Sequence, residues 1–294
     1  MRGHYHSISS NSKVFLFFIL LLIGLFVGNS IGLLGSTIFN ASSMTDLTSL
    51  QTVKALKFLQ AFSAIGIFII PAFLFSYVTN FSLSFTNVSR QQILITIVLM
   101  LMSMPIINVL AEWNASMHLP SFLSSLEEWM RLAEVQAMRI TDSFLNVKTI
   151  SGVLFNLLII AVIPAIGEEV LFRGVIQNSL YQKTSNIHLS IWLSAFLFSA
   201  MHLQFMGFIP RFLIGGMFGY LFYWSGSIWL PIIAHFVNNA VAVILSFLVL
   251  NGQLSKDVET MGANEGQVSV IIIAFMGLSL LLYFLKVLPN SNRT

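Results

Sequence analysis

The chain has 294 residues, of which 56% are hydrophobic and only 9% are charged. Roughly a quarter of the residues of a soluble domain are charged, so this composition excludes a water-soluble globule and predicts a protein that crosses a membrane several times. The formal net charge of +3 comes from 14 scattered basic residues, which excludes a basic nucleic-acid interface. The sequence contains no cysteine, which excludes disulfides, thiolate nucleophiles and cysteine-bound metals.

Eight apolar stretches approach the ~20 residues that a membrane-spanning helix needs. They cover residues 14–39, 58–79, 93–111, 150–167, 190–206, 208–224, 228–250 and 268–285. Gly24, Gly28 and Gly32 repeat every four residues in the first stretch, a spacing typical of membrane helices in close contact. The alternative is a chance repeat in a glycine-containing helix. The predicted fold is all-α, a polytopic membrane protein of about eight transmembrane helices.

The charges between these stretches predict the orientation. Alternate segments, starting with the N-terminus, contain basic residues and no acid: Arg2, Lys13, Arg90, Lys183, Lys286 and Arg293. The opposite segments contain all the remaining loop acids, namely Asp46, Glu112, Glu127, Glu128, Glu134, Asp142, Asp257, Glu259 and Glu265. Those opposite segments also contain basic residues, namely Lys54, Lys57, Arg131, Arg139, Lys148, Lys256 and Arg211. Because positive charges are retained in the cytoplasm, both termini are predicted to be cytoplasmic.

Residues 112–149 form the one long polar interval of the sequence. Apolar residues recur there at helical spacing, with charges on the other face: Leu123, Leu126, Trp129, Met130, Ala133, Ala137 and Ile140. This pattern predicts an amphipathic helix at the membrane interface. The chain then divides into residues 1–149, with the first spans and this loop, a core at 150–250, and a loop with a final span at 251–294.

Three charges lie together after an apolar run, at Glu168, Glu169 and Arg173. An ionised group at a helix centre costs about 2.5–3.5 kcal/mol, so a functional site is the first interpretation. The alternative is a buried charge network that holds helices together. Arg173 is about 40° around the helix from Glu169 but about 140° from Glu168. This phase predicts a Glu169–Arg173 ion pair and leaves Glu168 suited to act as a general base.

Other polar residues lie in or beside the same apolar stretches. Pro164 removes a backbone donor and Gly167 loosens the next turn, so a kink is predicted just before the carboxylates. His202 and His235 lie in later spans, and Asn239 follows His235 by one helical turn on the same face. Either histidine alone is better explained as a core residue bonded to a neighbouring helix. Taken with the carboxylates, they supply the groups that activate water and stabilise an oxyanion.

The sequence lacks the residue patterns that other classes of intramembrane protease use. Asp46, Asp142 and Asp257 are the only aspartates and all lie in loops, which excludes an intramembrane aspartate dyad. No His-Glu-x-x-His occurs, which argues against the common zinc pair on a helix. Ser279 lies in the last span with no histidine after it, and we interpret it as a packing residue.

The chain resembles the CPBP family of intramembrane endopeptidases, also called the Abi or CAAX prenyl protease-like family. Three motifs carry the resemblance: Glu-Glu-x-x-x-Arg at 168–173, Phe-x-x-x-His at 198–202 and His-x-x-x-Asn at 235–239. Each motif is weak alone, but their order on successive apolar helices, roughly 30 residues apart, is specific. The resemblance covers about residues 150–250, and the first 149 residues match no family that we can name.

The resemblance implies an α-helical core whose cavity is lined by these side chains, in the plasma membrane of a prokaryote. Eukaryotic members cleave prenylated C-terminal CAAX tails. Prokaryotic members are associated with peptide or bacteriocin processing, self-immunity and membrane-protein degradation. The predicted function is therefore endopeptidase action on a peptide or membrane-protein substrate within the lipid bilayer.

The predicted mechanism has Glu168 and His202 hold and deprotonate a water molecule. His235 and Asn239 donate hydrogen bonds to the oxyanion that forms. Three motif residues are predicted to support this geometry: Glu169, Arg173 and Phe198. No cofactor is predicted, because asparagine is a poor zinc ligand. The alternative is a zinc ion bound by Glu168, His202 and His235.

Two other functions stay open at this point. A proton-coupled transporter would also place Glu and His in its spans, usually within a repeated half, and no internal repeat is detectable here. A non-catalytic scaffold that binds a bacteriocin or another partner would need no cleavage at all. The sequence leaves the oligomeric state open.

Overall fold

The computed structural model describes residues 9–264 and 266–288, and this part of the chain is helical without any β-strand. Arg2, Glu265 and Arg293, which entered the charge pattern, lie outside the described residues. Seven helices are long and apolar enough to cross a membrane, and an eighth apolar helix, Ile187–Ala200, is shorter. The protein is therefore an all-α integral membrane protein, consistent with the prediction of about eight spans.

Twelve α-helices follow one another along the described chain. They are α1 Ser10–Ile38, α2 Leu50–Ala64, α3 Ile70–Thr79, α4 Arg90–Ala115, α5 Ser124–Leu145, α6 Ile150–Asn156, α7 Ile163–Glu169, α8 Asn178–Thr184, α9 Ile187–Ala200, α10 Phe208–Ser225, α11 Trp229–Leu250 and α12 Val268–Val287. Short 3₁₀ turns lie at Ser121–Leu123, Phe205–Gly207 and Lys256–Val258. Three π-helical stretches, Ile65–Ile69, Leu157–Val162 and Val170–Gln177, join neighbouring α-helices, so that Leu50–Thr79 and Ile150–Thr184 each form one continuous helix.

The glycine repeat of α1 is a packing surface. A Cβ atom at Gly28 would lie 2.6 Å from the Phe62 carbonyl oxygen and 2.9 Å from Gly66 Cα. A Cβ atom at Gly24 would meet the Gly66 carbonyl even more closely. The backbones of α1 and the Leu50–Thr79 helix therefore approach to a distance that only glycine allows, which confirms the packing interpretation of the repeat.

Several predicted helix boundaries were wrong, and the helix that begins at Ile150 continues to Thr184 instead of ending at residue 167. The second span begins at Leu50 instead of residue 58, because the Ser49 side chain accepts from the Thr52 N–H and caps the helix there. The fifth apolar stretch, which forms α9, ends at Ala200 instead of residue 206, and Leu203 in the following turn has a left-handed backbone with φ 53°.

The predicted amphipathic helix is present as α5, Ser124–Leu145. Its first turn is held to the preceding loop by Glu127, whose carboxylate accepts from the Leu119 N–H, Arg131 Nε and the His118 ring. The Leu119 backbone bond, followed by those from Arg131 and His118, lowers the pKa of Glu127 from 4.5 to about 2. A depressed pKa means that this contribution to stability is present above about pH 4.5 and is lost only as the pH falls towards 2.

The helix Ile150–Thr184 lies at the centre of the second half of the chain. Its buried face, which includes Val170, Leu171 and Phe172, joins a single apolar cluster with α1, α3, α9, α10 and α11. A second cluster joins α4, α10, α11 and α12. The three motifs therefore lie on helices that are packed against one another.

The orientation across the membrane is a prediction from the charges, and it has a direct test. Reporter fusions after Lys183 and at the C-terminus should both report the cytoplasm, whereas a fusion at Asp142 should report the opposite side. A signal from outside the cytoplasm at the C-terminus would contradict an even number of spans.

Candidate active site

The charged motif of the central helix forms the predicted ion pair. Arg173 Nη1 lies 3.1 Å from Glu169 Oε1, and Arg173 Nε lies 3.1 Å from Glu169 Oε2. Both side chains are buried, with relative exposures of 0% for Glu169 and 1% for Arg173. Arg173 Nη2 also donates to the Gly215 carbonyl at 2.9 Å. The pair therefore joins the central helix to α10, and its charges are matched inside the membrane.

Glu169 has a second partner that sequence reasoning did not predict. Its Oε1 atom lies 2.8 Å from His235 Nδ1, and the His235 ring stacks on Phe218 with centroids 5.4 Å apart. A carboxylate only accepts hydrogen bonds, so Nδ1 of His235 carries the proton. Glu169 therefore orients the His235 ring and also neutralises the charge of Arg173.

Glu168 points to a different partner. Its Oε2 atom is buried, has no hydrogen-bond partner among the described residues, and lies 3.9 Å from His202 Nε2. The other ring nitrogen of His202, Nδ1, is 2.8 Å from the Phe198 carbonyl oxygen. A carbonyl can only accept, so Nδ1 is the protonated nitrogen of the neutral ring, and Nε2 turns its lone pair towards Glu168. Two acceptors thus face one another.

Asn239 joins α11 to the central helix about two turns before the carboxylates. Its Nδ2 atom donates to the Ile160 carbonyl oxygen at 3.0 Å. Pro164 has no N–H and cannot donate to this carbonyl four residues earlier. The kink expected here takes the form of a π-helical stretch, Leu157–Val162, directly before α7. The side-chain amide of Asn239 carries two hydrogens, so one is available beyond the bond to Ile160.

Phe198 brings the three motifs together. Its ring centroid lies 4.6 Å from the Arg173 guanidinium carbon, 5.3 Å from the His202 ring and 5.9 Å from the His235 ring. One phenyl ring therefore contacts a residue from each motif. Six of the predicted site residues are therefore linked by close approaches, namely Glu168, Glu169, Arg173, Phe198, His202 and His235. Asn239 bonds to the Ile160 carbonyl instead.

The turn that carries His202 follows a helix that is too short to cross a bilayer by itself. Helix α9 has 14 residues, which at 1.5 Å each gives ~21 Å, less than the ~30 Å of a bilayer core. Irregular backbone within a bilayer is tolerated where protein covers it or water fills a cavity. Here α5 covers it: the rings of Trp129 and Phe205 are 5.5 Å apart, and Glu134 accepts from the Met206 N–H at 3.2 Å.

Arg211 was assigned to a loop segment, and this assignment was wrong. It lies in the first turn of α10, partly buried, and donates to the carbonyl and side-chain oxygens of Gln204. Glu168 and Glu134 both act on it electrostatically. The sequence did contain a signal, because Arg211 falls within the predicted span 208–224, where a charge requires a partner.

Lys57 was also assigned to a loop, and the structure corrects this as well. Its side chain is buried in α2, where Nζ donates to Asn156 Oδ1 at 2.7 Å and to the Phe144 carbonyl at 2.9 Å. The earlier start of α2 carries Lys57 into the helix. The three residues join α2, the end of α5 and α6, so the amphipathic helix is tied to the same helix that carries Glu168.

The residues proposed for the zinc alternative do not form a prepared metal site. Within the described residues, no three His, Asp or Glu side chains are grouped so that they could hold a metal ion. The Nδ1 atom of His235 is bonded to Glu169, and that of His202 to a backbone carbonyl. Both bonds leave Nε2 as the ring nitrogen that could bind a metal, as in zinc sites whose histidines donate from the other nitrogen.

The comparison with protein families agrees with this geometry. Residues 150–241 match the family described as "Type II CAAX prenyl endopeptidase Rce1-like", which confirms the resemblance to CAAX-protease-like membrane peptidases. The match covers less than half of the chain. It contains all three motifs, and residues outside it are not part of the match.

Three relatives, all from Bacillus subtilis (strain 168), are similar to part of the chain. "Uncharacterized protein YpbD" is 29% identical over 29% of this chain and 43% of its own length. "Putative membrane peptidase YdiL" is 28% identical over 40% of this chain and 46% of its own, and "Sporulation-killing factor biosynthesis protein SkfC" is 34% identical over 39% and 24%. The chain spans less than half the length of each relative. No solved structure matches it.

Proposed function

We propose that the protein is an intramembrane endopeptidase that hydrolyses peptide bonds of peptide or membrane-protein substrates. The family match of residues 150–241 and the printed name of the relative YdiL support a membrane peptidase. The bacterial source of the relatives supports a prokaryotic plasma membrane as its location, and the charge pattern supports cytoplasmic termini.

The observation that carries this proposal is the facing pair of acceptors. Glu168 Oε2 and His202 Nε2 are 3.9 Å apart, which is less than two ~2.8 Å hydrogen bonds placed end to end, so one water can reach both atoms. Water has two hydrogens to donate to two acceptors, and its lone pairs then remain free. The pair thus binds water in the orientation that a nucleophile needs.

In the proposed reaction, the water oxygen bonds to the scissile carbonyl carbon while Glu168 takes one of its protons. The bond between that carbon and the peptide nitrogen then breaks, and Glu168 returns the proton to the leaving amine. His202 accepts a hydrogen bond from the attacking water and keeps it oriented. The products are a carboxylic acid and an amine, and Glu168 is restored.

The negative charge on the carbonyl oxygen requires donors. Asn239 can donate the amide hydrogen that Ile160 does not use. His235 can donate from Nε2 only when both of its ring nitrogens are protonated, because Nδ1 already donates to Glu169. We therefore assign Glu169, Arg173 and Phe198 positioning roles and place Asn239 and His235 at the oxyanion.

A cleavage assay tests the proposal. Purified protein in detergent, mixed with a quenched fluorescent peptide library, should release fluorescence, and mass spectrometry should find new C-termini at internal peptide bonds. The His202→Ala variant, purified in the same way, is the negative control. Absence of cleavage, together with proton flux through the protein in liposomes, would favour a transporter instead.

Metal dependence is a separate prediction. Because Glu168 and His202 bind the water directly in the proposed mechanism, cleavage should survive exhaustive chelation, and purified protein should contain much less than one zinc per chain. Elemental analysis and the peptide assay, run on the same chelated sample, measure both. Stoichiometric zinc that is lost together with activity would make Glu168, His202 and His235 ligands and would overturn this mechanism.

A further inference from the structure

A long apolar groove lies beside the central helix, away from the hydrogen-bonded site. It has a volume of about 750 Å³ and runs between α1, the second half of the Ile150–Thr184 helix and the end of α9. Four of its lining side chains are polar, and all lie where α1 begins and α8 ends: Lys13, Ser179, Gln182 and Lys183. The other lining side chains are all apolar. The groove is therefore polar at one end and apolar along the rest of its length.

The groove is open to the bilayer. Phe18 and Leu22, which line it, are 60% and 63% exposed on the outer side of α1. The lining residues of α1 extend from Lys13 to Leu25, which at 1.5 Å per residue is ~18 Å. One leaflet contributes about half of the ~30 Å hydrocarbon core. A ligand can therefore enter sideways from the lipid, and the groove has the depth of a single leaflet.

The two cations at the polar end have no acid to neutralise them. The lining contains no Asp or Glu, and neither Lys13 nor Lys183 forms an ion pair within the described part of the chain. Both belong to segments that the charge pattern assigns to the cytoplasmic side. Two uncompensated ammonium groups at the membrane surface attract an anionic headgroup.

The apolar length of the groove favours a lipid chain over an extended peptide. Beyond the polar end, the lining side chains offer neither hydrogen-bond donors nor acceptors to a ligand. An extended peptide would leave its backbone N–H and C=O groups without partners there, at a cost that an acyl chain does not incur. The groove therefore matches a molecule with an anionic head and an apolar chain.

We propose that this groove binds an anionic phospholipid of the cytoplasmic leaflet. One acyl chain lies along α1, between Phe17 and Leu25, and the phosphate lies between Lys13 and Lys183. The site is independent of peptide cleavage, because none of its four polar residues belongs to the motifs that carry the proposed chemistry.

Native mass spectrometry tests this proposal with two defined lipids. The purified protein is mixed with equal amounts of phosphatidylglycerol and phosphatidylcholine that carry the same acyl chains. Phosphatidylglycerol should be retained preferentially, by roughly tenfold or more, since each lysine near an anionic group strengthens binding severalfold. The Lys13→Gln/Lys183→Gln variant should lose that preference.

Two further variants keep the result interpretable. Arg90→Gln/Lys286→Gln removes the same charge on the same predicted side, from residues that do not line the groove, and should keep the preference. Leu21→Trp fills the apolar part and should reduce retention of both lipids. Thermal unfolding in detergent verifies that each variant is folded.

Several outcomes would overturn the proposal. Equal retention of the two lipids by the unmodified protein would show that the groove does not recognise an anionic head. Equal loss in both double variants would assign the preference to general surface charge. A co-purified peptide that Leu21→Trp displaces, with lipid retention unchanged, would identify a polypeptide as the occupant.

Discussion

Replacing Glu168 by glutamine is expected to reduce cleavage by roughly 10²-fold or more, the contribution of a general base. Glutamine preserves the volume and one acceptor oxygen, but it cannot take a proton from water. Glu168 makes no ion pair shorter than its 3.9 Å approach to His202, so the variant should stay folded. Turnover of a quenched peptide and thermal unfolding, measured on the same preparation, separate the two effects.

The neighbouring glutamate is the internal control for this prediction. If Glu168→Gln kept full turnover while Glu169→Gln was stable and inactive, the base would be Glu169 and the assignment from helical phase would be wrong. A large loss of folded Glu168→Gln protein would equally contradict the view that Glu168 is free of structural pairing.

Replacing Glu169 by glutamine is expected to destabilise the protein, by about 3–5 kcal/mol, because it leaves a buried cation without its partner. Arg173 is 1% exposed, and its charge is neutralised by Glu169 through one hydrogen bond and one further ion-pair contact, each of 3.1 Å. The lost stability should appear as a lower unfolding temperature in detergent. Activity should fall as well, because a neutral amide is a weaker acceptor than a carboxylate for the His235 Nδ1 hydrogen that orients the ring.

The double variant Glu169→Gln/Arg173→Met tests this explanation of the instability. It removes both charges, keeps an oxygen that can accept from His235 Nδ1, and should recover stability relative to Glu169→Gln alone. Recovery of stability without recovery of activity would separate the packing role of the pair from its effect on His235. No recovery would mean that the Arg173 contacts to Gly215 and Phe198 dominate the stability of this region.

The four groups of the proposed site have distinct physical roles. Glu168 and His202 are acceptors that face one another, whereas Asn239 and His235 can present donors. Glu169 carries no proposed proton transfer and acts through His235. This division into an acceptor pair and a donor pair is what hydrolysis of a carbonyl requires, since water must lose a proton and the carbonyl oxygen must gain hydrogen bonds.

Local features were predictable from the sequence. The apolar lengths and low charge determine an all-α membrane protein, because lipid requires each span to satisfy its own backbone. The Glu169–Arg173 pair was predictable because four residues make one helical turn. The spacing Gly24, Gly28 and Gly32 indicated a packing face for the same reason, although the partner, Gly66, could not be read from it.

Only the tertiary structure decided which polar groups meet. His235 bonds to Glu169 across 66 residues of sequence, Asn239 to Ile160 across 79, and Lys57 to Asn156 across 99. Helical periodicity gives the face of one helix on which a side chain lies, but not the neighbouring helix that packs against that face. Long-range packing, including the early start of α2 that buries Lys57, sets these contacts, and it alone brings Phe198 against all three motifs.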